Sequence, residues 1–198
     1  MTTSPPPIEQ VVLCASDGTA IGTAAKATVH HADTPLHLAF SCYLFDDAGQ
    51  LLVTRRARTK PTWPGVRTNS CCGHPAPGES MQAAVRRRLS VELGITSATI
   101  DLIAPRFRYR AVMADGTVEN ELCPLYRAIV RDHHLTLDPA EVDAAWWLPW
   151  SGFLDEVAGP DLLSPWSVQQ VAELRRLGTS PTCWPTGDAA LLPAASVP

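Results

Sequence analysis

The chain has few charged residues and no excess of basic ones. Charged side chains make up 18% of its 198 residues, and the formal net charge is -4. A domain that binds nucleic acid is expected to carry a basic stripe, so we expect no nucleic-acid partner. Any anionic ligand would have to be held by a local cluster of Lys and Arg.

Long apolar runs are also lacking. No run approaches the roughly 18 residues that cross a bilayer, and the first residues, MTTSPPPIEQ, have neither the basic start nor the apolar stretch of a signal peptide. We therefore expect a cytoplasmic protein with no membrane partner. The six cysteines include no C-x-x-C pair, and in a reducing cytosol this predicts free thiols.

The composition between the two ends of the chain suits one folded domain, because 45% of the residues are hydrophobic. The Pro-rich residues 1–7 are predicted to be disordered, and residues 181–198 are predicted to form an irregular Pro/Ala-rich tail. The domain itself is expected to span residues 8–180.

Strands and helices alternate in the predicted pattern, which indicates an α+β or α/β fold with a mixed sheet flanked by helices. The predicted helices are Glu79–Leu93 and Ser167–Leu177. Residues 61–69 are predicted to be loop, and Ser70–His74 a short extended segment. The predicted strands are Val11–Ala15, Leu36–Phe45, Gln50–Arg55, Arg106–Met113, Thr117–Val130 and Glu141–Leu148.

The helix Glu79–Leu93 has the strongest pattern in the chain. Met81, Val85, Leu89 and Leu93 recur every four residues and form one apolar stripe. Gly94 follows where a helix terminator belongs.

A pattern of the form G-x5-E-x7-RRLSVELGI runs from Gly73 to Ile95 and includes this helix. It resembles the Nudix box, in which a loop and a helix hold a divalent cation against a diphosphate through carboxylates. Two of three glutamates of the hydrolase signature are replaced here, by Arg88 and Val91, while Glu92 remains. We therefore expect that diphosphate binding is kept and hydrolysis is lost. The alternative is that Arg88 and Glu92 form only an exposed i,i+4 ion pair.

Histidines and glutamates offer a second set of candidates. Imidazole and carboxylate together suit a transition metal such as Mn²⁺ or Zn²⁺. The two glutamates are two residues apart on a predicted strand and share one face, although such a pair commonly faces solvent. A single histidine is likewise more often an ordinary surface or core residue than a ligand. The candidate ligands are His30, His37, His74, Glu119 and Glu121.

Several segments, in order, resemble the type I isopentenyl diphosphate isomerase family. The resemblance covers about residues 8–177 and leaves the tail beyond about residue 180 uncovered. The matching segments are HADTPLHLAFS at 31–41, LLVTRR at 51–56, WPGV at 63–66, TNSCCGHP at 68–75, FRYR at 107–110, ENE at 119–121 and SPW at 164–166.

The resemblance implies a role for each matching position. The catalytic cysteine corresponds to Cys72 and its partner to Glu121, with Tyr109 as an active-site aromatic. All five His and Glu candidates correspond to the ligands of a transition metal, and spacing favours His30 over His31 at the first position. Mg²⁺ would be held by Glu92 and the backbone carbonyl of Cys72.

The same resemblance implies a diphosphate site and one departure from the family pattern. Residues corresponding to substrate-binding positions are Lys26, Arg56, Lys60, Arg88 and Trp166. Arg67 stands where an aromatic residue is expected, and we interpret it as a second-layer or surface change.

The implied reaction is movement of a double bond in a small allylic diphosphate by addition and loss of a proton. Two other interpretations remain open at this point. A Nudix hydrolase would be expected to have glutamates at positions 88 and 91. A ligand-sensing Nudix domain without activity would be expected to lack Cys72, Glu121 or a metal ligand.

Overall fold

The structure is a computed structural model that describes residues 9–159 and 163–197. The segment 1–7, predicted to be disordered, lies outside the described residues. The helices are α1 (Met81–Leu93), α2 (Trp150–Ala158) and α3 (Pro165–Leu174). The strands are β1 (Gln10–Cys14), β2 (Ala20–Ala25), β3 (His37–Leu38), β4 (Phe40–Asp46), β5 (Gln50–Arg56), β6 (Arg67–Thr68), β7 (Cys71–Gly73), β8 (Thr99–Ala104), β9 (Arg108–Val112), β10 (Val118–Leu122), β11 (Leu125–Val130) and β12 (Val142–Pro149).

One sheet has five strands in the order β2-β1-β3-β10-β9. Its centre is a short parallel pairing in which Glu121 of β10 is opposite His37 of β3. The hairpin β9–β10 turns at Ala114-Asp115-Gly116, as the sequence predicts, and sets Tyr109 opposite Glu121. The register therefore brings three candidate site residues side by side on neighbouring strands.

The second sheet has the order β12-β5-β4-β11-β8, with β6 paired to β5 and β7 paired to β4. Its central strand β4 is buried along its whole length, which explains the continuous apolar run in the sequence. Strand β7 pairs Cys72 with Ser41 of β4. Both sheets are mixed, because β3–β10 and β4–β11 are parallel pairs among antiparallel ones, and the predicted fold class is confirmed.

Helix α1 is capped at both ends, and the cap at Gly94 is the one that the sequence predicts. The side chain of Ser80 accepts a hydrogen bond from Ala83 N, and Gly94 has a left-handed φ of 74°. The apolar stripe of Met81, Val85 and Leu89 is buried in the core against the second sheet. Arg88 and Glu92 of the same helix also face inward, at 5% and 7% exposure.

The sequence interpretation differs from the structure at several places. Two predicted strands are each interrupted: Leu36–Phe45 at Ala39, and Thr117–Val130 at Cys123 and Pro124, where the chain passes from one sheet to the other. Strand β2 was not predicted because its residues are small and mostly exposed. Helix α2 was not predicted because it starts after Pro149 without a side-chain cap.

The C-terminal residues are irregular but packed against the domain. Trp184 is 3% exposed within an aromatic cluster, and Arg127 donates hydrogen bonds to the carbonyls of Pro181 and Trp184. Near the end of the chain, the carbonyl of Val197 accepts a hydrogen bond of 3.0 Å from Met81 N, at the start of α1. Within the described residues, no helix is long and apolar enough to span a membrane.

Candidate active site

A cavity of about 590 Å³ opens where the two sheets and α1 meet. It is lined by most of the residues that the sequence selects as candidates. A narrower pocket, lined by Glu92, Lys60 and Cys72, adjoins it. The candidates that line the larger cavity are Lys26, His30, Arg56, Lys60, Cys72, His74, Arg88, Glu119, Glu121 and Trp166.

Three histidines and one glutamate form a compact cluster at one end of the cavity. The candidate ligand atoms of His30, His37, His74 and Glu121 all lie within 4.8 Å of one another. The imidazole ring centroids are 5.1–5.7 Å apart. His31 is exposed, so the structure places His30, and not its neighbour, in the cluster.

The donor atoms of this cluster fit a divalent metal ion. Among the described residues, Nε2 of His30 is buried without a hydrogen-bond partner, and Nε2 of His37 lies 3.5 Å from Glu121 Oε1. His37 Nδ1 lies 2.9 Å from Pro35 O, and because a carbonyl only accepts, Nδ1 carries the proton. In the neutral ring, Nε2 is then the free lone pair that faces the cluster, which is the usual arrangement of a metal-binding histidine.

The charges of His30 and Glu121 support the same conclusion, whereas His37 is affected differently: burial lowers its pKa, but the hydrogen bond and charge of Glu121 outweigh burial and raise it. Burial lowers the pKa of His30 to about 3, with the nearby His74 adding to the shift. Burial raises the pKa of Glu121, but hydrogen bonds and charges from His37 and His74 outweigh it and hold the pKa well below its ordinary value. A neutral imidazole and an ionised carboxylate are the forms that bind a metal.

Glu119 is in the same cavity but is not among the four clustered ligand atoms. Its Oε2 accepts a hydrogen bond of 2.8 Å from the Tyr109 hydroxyl. Burial and the neighbouring Glu121 raise its pKa to about 7. Two carboxylates on one strand face commonly face solvent, but Glu119 and Glu121 are buried, at 6% and 5% exposure.

Cys72 and Cys71 point to opposite sides of β7, as expected for successive residues in a strand. Cys71 is 2% exposed within the apolar core, whereas Cys72 lines the cavity. The sulfur of Cys72 is 3.3 Å from both Ser41 Oγ and Asn69 Oδ1. Burial raises the pKa of the Cys72 thiol to about 12, so the group is a neutral thiol near neutral pH.

Arg88 and Glu92 form a buried pair, with Arg88 Nη2 2.5 Å from Glu92 Oε1. The alternative of an exposed surface ion pair is therefore wrong. Arg88 comes close because strand β7 ends in Gly73, where an added Cβ would lie 2.9 Å from Arg88 Cγ. Sequence reasoning missed a further partner, Glu141, which pairs with Arg88 at 2.9 Å and also with Lys60.

The ring of Trp166 forms part of the cavity wall, and Trp63 and Tyr109 pack behind it. The guanidinium carbon of Arg56 lies 5.6 Å from the centre of the Trp166 ring, a cation–π arrangement. Trp63 packs edge-on against Trp166 at 5.5 Å and has an unusual positive φ of 43°. Tyr109 is 6.1 Å from Trp166, so these side chains form a continuous apolar face.

Lys26 and Arg67 are the remaining residues named in the sequence analysis. Lys26 is at the cavity mouth and pairs with Glu9 at 2.7 Å. Arg67 does not line the cavity and pairs with Glu156 of α2 at 3.2 Å. The partners of Cys72, namely Ser41 and Asn69, were not selected from the sequence, because an uncharged polar side chain has no motif of its own.

Comparison with known proteins agrees with this arrangement. The NUDIX domain family model matches residues 35–166. The chain is 57% identical over 195 residues to the isopentenyl-diphosphate Delta-isomerase of Saccharopolyspora erythraea, covering 96% of this chain and 98% of that protein. It is 49% identical to the isopentenyl-diphosphate Delta-isomerase of Rhizobium rhizogenes, covering 95% and 90% of the two chains.

Solved structures support the fold at lower identity. A crystal structure from Deinococcus radiodurans is 18% identical with a TM-score of 0.67, covering 83% of this chain and 98% of that one. The MutT protein of Methanosarcina mazei is 18% identical with a TM-score of 0.58, covering 73% and 96%. Taken with the long, high-identity matches, these findings show that the chain belongs to the isopentenyl-diphosphate Delta-isomerases of the NUDIX domain family.

Proposed function

We propose that this enzyme interconverts isopentenyl diphosphate and dimethylallyl diphosphate, with Cys72 and Glu121 as the proton-transfer groups. The observation that carries the proposal is that a thiol and a carboxylate share one cavity with a cluster of cations. The similarity to isopentenyl-diphosphate Delta-isomerases supports the same substrate. A free catalytic thiol suits a reducing cytoplasm, and the net charge of -4 does not favour nucleic acid as a partner.

The diphosphate is proposed to bind at the cationic end of the cavity. Arg88, Lys60 and Arg56 all line this region, and Lys26 lies at the mouth. A guanidinium group can donate two parallel hydrogen bonds to phosphate oxygens, which fixes orientation as well as charge. Anchoring the charged end sets the five-carbon end against the aromatic wall before any bond changes.

The hydrocarbon end then undergoes two proton transfers. A proton adds to the terminal alkene carbon and forms a C–H bond, which leaves a tertiary carbocation at the adjacent carbon. A second proton leaves C2, and its bonding electrons form the new double bond. One of Cys72 and Glu121 delivers the first proton, and the other removes the second, so the reaction is balanced without any other reactant.

Trp166 is proposed to stabilise the carbocation. The negative face of an indole attracts a cation without forming a bond to it, whereas a nucleophile or water molecule would trap it. Trp166 is only 2% exposed, and Tyr109 and Trp63 lie against it. The aromatic wall therefore provides electron density and also limits the access of water.

Two metal ions are proposed to assist these residues. His30, His37, His74 and Glu121, with Glu119 beside them, would hold Mn²⁺ or Zn²⁺, and Glu92 with the Cys72 carbonyl would hold Mg²⁺. When bound, the transition metal would act as a Lewis acid on the carboxylate group, and Mg²⁺ would neutralise phosphate charge.

A hydrolase of nucleotide diphosphates is a weaker interpretation of the same site. Of the three glutamates that the hydrolase signature carries in the second half of its helix, only Glu92 is kept. Arg88 is paired with Glu92 and Glu141, and Val91 is 50% exposed. The earlier glutamate of the signature, Glu79, is bonded to Arg87, and hydrolysis would leave Cys72 without a role.

The proposal can be tested by NMR in D₂O with isopentenyl diphosphate and Mg²⁺. Deuterium should appear in a methyl group as dimethylallyl diphosphate forms, and at C2 through the reverse reaction. Cys72→Ala should lower kcat by about 10²–10⁴-fold, the usual contribution of a positioned proton-transfer group. Cys71→Ala is the matched control, because it removes the neighbouring thiol from the core and not from the cavity. Release of inorganic phosphate without isomerisation would refute the proposal.

A further inference from the structure

Asn69 has a fixed side-chain orientation inside the core. The residue is 0% exposed and lies between β6 and β7. Its Nδ2 donates hydrogen bonds of 3.0 Å to the carbonyls of Cys42 and Cys71. A carbonyl oxygen can only accept, so the amide nitrogen must face these two groups. The amide oxygen is therefore turned toward the opposite side.

On that side, the amide oxygen meets two groups of the proposed active site. Asn69 Oδ1 is 3.3 Å from Cys72 Sγ and 3.1 Å from Trp166 Nε1. The indole N–H can only donate, and the oxygen can only accept, so the thiol must also act as the donor in its contact. One oxygen atom thus joins a side chain of β7 to a side chain of α3.

The two hydrogen bonds of Nδ2 fix the position of the oxygen, and neighbouring hydroxyl groups add further contacts to it. Thr68 Oγ1 and Ser167 Oγ lie 2.9 and 3.2 Å from it. Ser167 is also bonded to Ser164, the residue that caps α3. All of these side chains are buried, and fully bonded buried polar groups make a site rigid.

We propose that Asn69 is a positioning residue that sets the Cys72 thiol and the Trp166 ring relative to each other through its amide oxygen. This inference rests on the proposed function, in which the thiol exchanges a proton with the carbon skeleton while the indole faces the cation. Both groups have to be held to within a fraction of an ångström. Asn69 contacts neither of the cations Lys60 and Arg88 in any of its hydrogen bonds, so its role concerns the chemical step and not diphosphate binding.

The matched control for Asn69 is Ser167. Ser167→Ala removes buried hydrogen bonds to the amide oxygen and to the backbone N–H of Asn69, together with contacts to Thr68 and Ser164. It leaves the contacts of Asn69 with Cys72 and Trp166 in place. Any loss of stability in the buried cluster is therefore common to both variants, whereas loss of positioning is specific to Asn69.

The first test is steady-state kinetics of Asn69→Ala and Ser167→Ala with isopentenyl diphosphate. For Asn69→Ala we expect kcat to fall by about 100-fold, as for a small misplacement of reacting groups, while KM stays within about threefold. Ser167→Ala should keep kcat within about threefold of the wild type. The proposal would be overturned if kcat fell equally in the two variants, or if Asn69→Ala raised KM and left kcat unchanged.

The second test does not depend on turnover. Iodoacetamide modification of Cys72, measured by peptide mapping at one pH, should be faster in Asn69→Ala, because the thiol loses its acceptor and gains space. It should be slower in Asn69→Asp, where a carboxylate beside the sulfur opposes the thiolate. Exposed Cys183 is the internal reference for the reagent. If Asn69→Ala does not fold, the test rests on Asn69→Asp alone. An unchanged rate of iodoacetamide modification at Cys72 in that variant would contradict the proposal.

The two tests also separate this inference from the proposed function. A wild-type protein that does not convert isopentenyl diphosphate would refute the function, while the alkylation rates would still report whether Asn69 holds the thiol. Active wild-type enzyme with unchanged kinetics and alkylation in both Asn69 variants would refute the positioning role alone.

Discussion

The hydroxyl of Tyr109 donates a hydrogen bond of 2.8 Å to Oε2 of Glu119. These residues come from the paired strands β9 and β10, and Tyr109 is 7% exposed. Burial and the charge of Glu119 raise the pKa of the phenol well above its ordinary value. Tyr109 is thus a neutral hydrogen-bond donor that satisfies a buried carboxyl group beside Glu121.

Removing this hydroxyl should impair catalysis more than binding. In Tyr109→Phe, Glu119 loses its donor, and the adjacent Glu121 is expected to shift from its place. We expect kcat to fall by about 10–100-fold, equivalent to roughly 1.4–2.8 kcal/mol in activation free energy, with little change in KM. Tyr126→Phe is the control, because Tyr126 is buried in a different core cluster and no hydrogen bond joins its hydroxyl to Glu119 among the described residues. Equal kinetics for the two variants would show that the Tyr109 hydroxyl is not needed.

The histidine cluster should bind about one transition metal per chain. His30→Ala removes one of its four donor groups and should lower the metal content of the purified protein. His31→Ala is the control, because that side chain is next in sequence but exposed. Elemental analysis by mass spectrometry checks both variants. If the wild-type protein is fully active with no bound metal after chelation, the cluster is not a metal site.

The sequence predicts much of the site because the relevant residues occur in short segments with local patterns. The apolar residues that recur every four positions from Met81 to Leu93, followed by Gly94, predict α1. The Ala114-Asp115-Gly116 turn predicts the β9–β10 hairpin. Once those elements are known, alternation along a strand predicts that Glu119 and Glu121 share a face. Alternation likewise separates Cys71 from Cys72.

Other parts of the site depend on contacts between segments far apart in the chain. Glu141 meets Arg88 only because the start of β12 lies beside α1 and Lys60. Gln170 of α3 donates a hydrogen bond of 2.8 Å to Ser41 of β4, which in turn contacts Cys72. No local pattern marks these residues, and burial of the Arg88–Glu92 pair also follows from packing and not from spacing.

Replacement of Arg88 by lysine should weaken substrate binding. Lysine keeps the positive charge but loses the planar fork that binds phosphate oxygens in pairs and also satisfies Glu92 and Glu141. We expect Arg88→Lys to raise KM for isopentenyl diphosphate about tenfold, roughly the 1.4 kcal/mol of one charge-assisted hydrogen bond. Arg86→Lys, an exposed position on the same helix, should leave KM unchanged. An unchanged KM in Arg88→Lys would exclude a bidentate role.

The C-terminal residues should contribute to stability although they lie outside the cavity. Trp184→Ala removes a ring that packs against Phe45 and Trp150 at 5.6 and 5.2 Å. Loss of a large buried aromatic residue typically costs about 3–5 kcal/mol in unfolding free energy. Leu191→Ala is the control, because Leu191 is 38% exposed. Urea unfolding checks both variants, and an equal midpoint would show that the tail is not part of the folded unit.

The stabilising effect of Glu141 should depend on pH in a defined direction. Burial alone raises the pKa of Glu141, but its hydrogen bond to Lys60 and the charge of Arg88 outweigh burial and lower the pKa from 4.5 to about 2. Because the folded-state pKa is the lower one, the stabilisation is fully present above about pH 4.5 and is lost as the pH falls toward 2. Glu141→Gln should therefore destabilise the protein on the order of 1–3 kcal/mol near neutral pH, and less at about pH 3.5. Asp143→Asn, two residues along and in a partly exposed pair with Arg55, should cost at most about 1 kcal/mol. Urea unfolding of the two variants and the wild type at both pH values checks this, and a Glu141→Gln penalty that does not shrink in acid would contradict it.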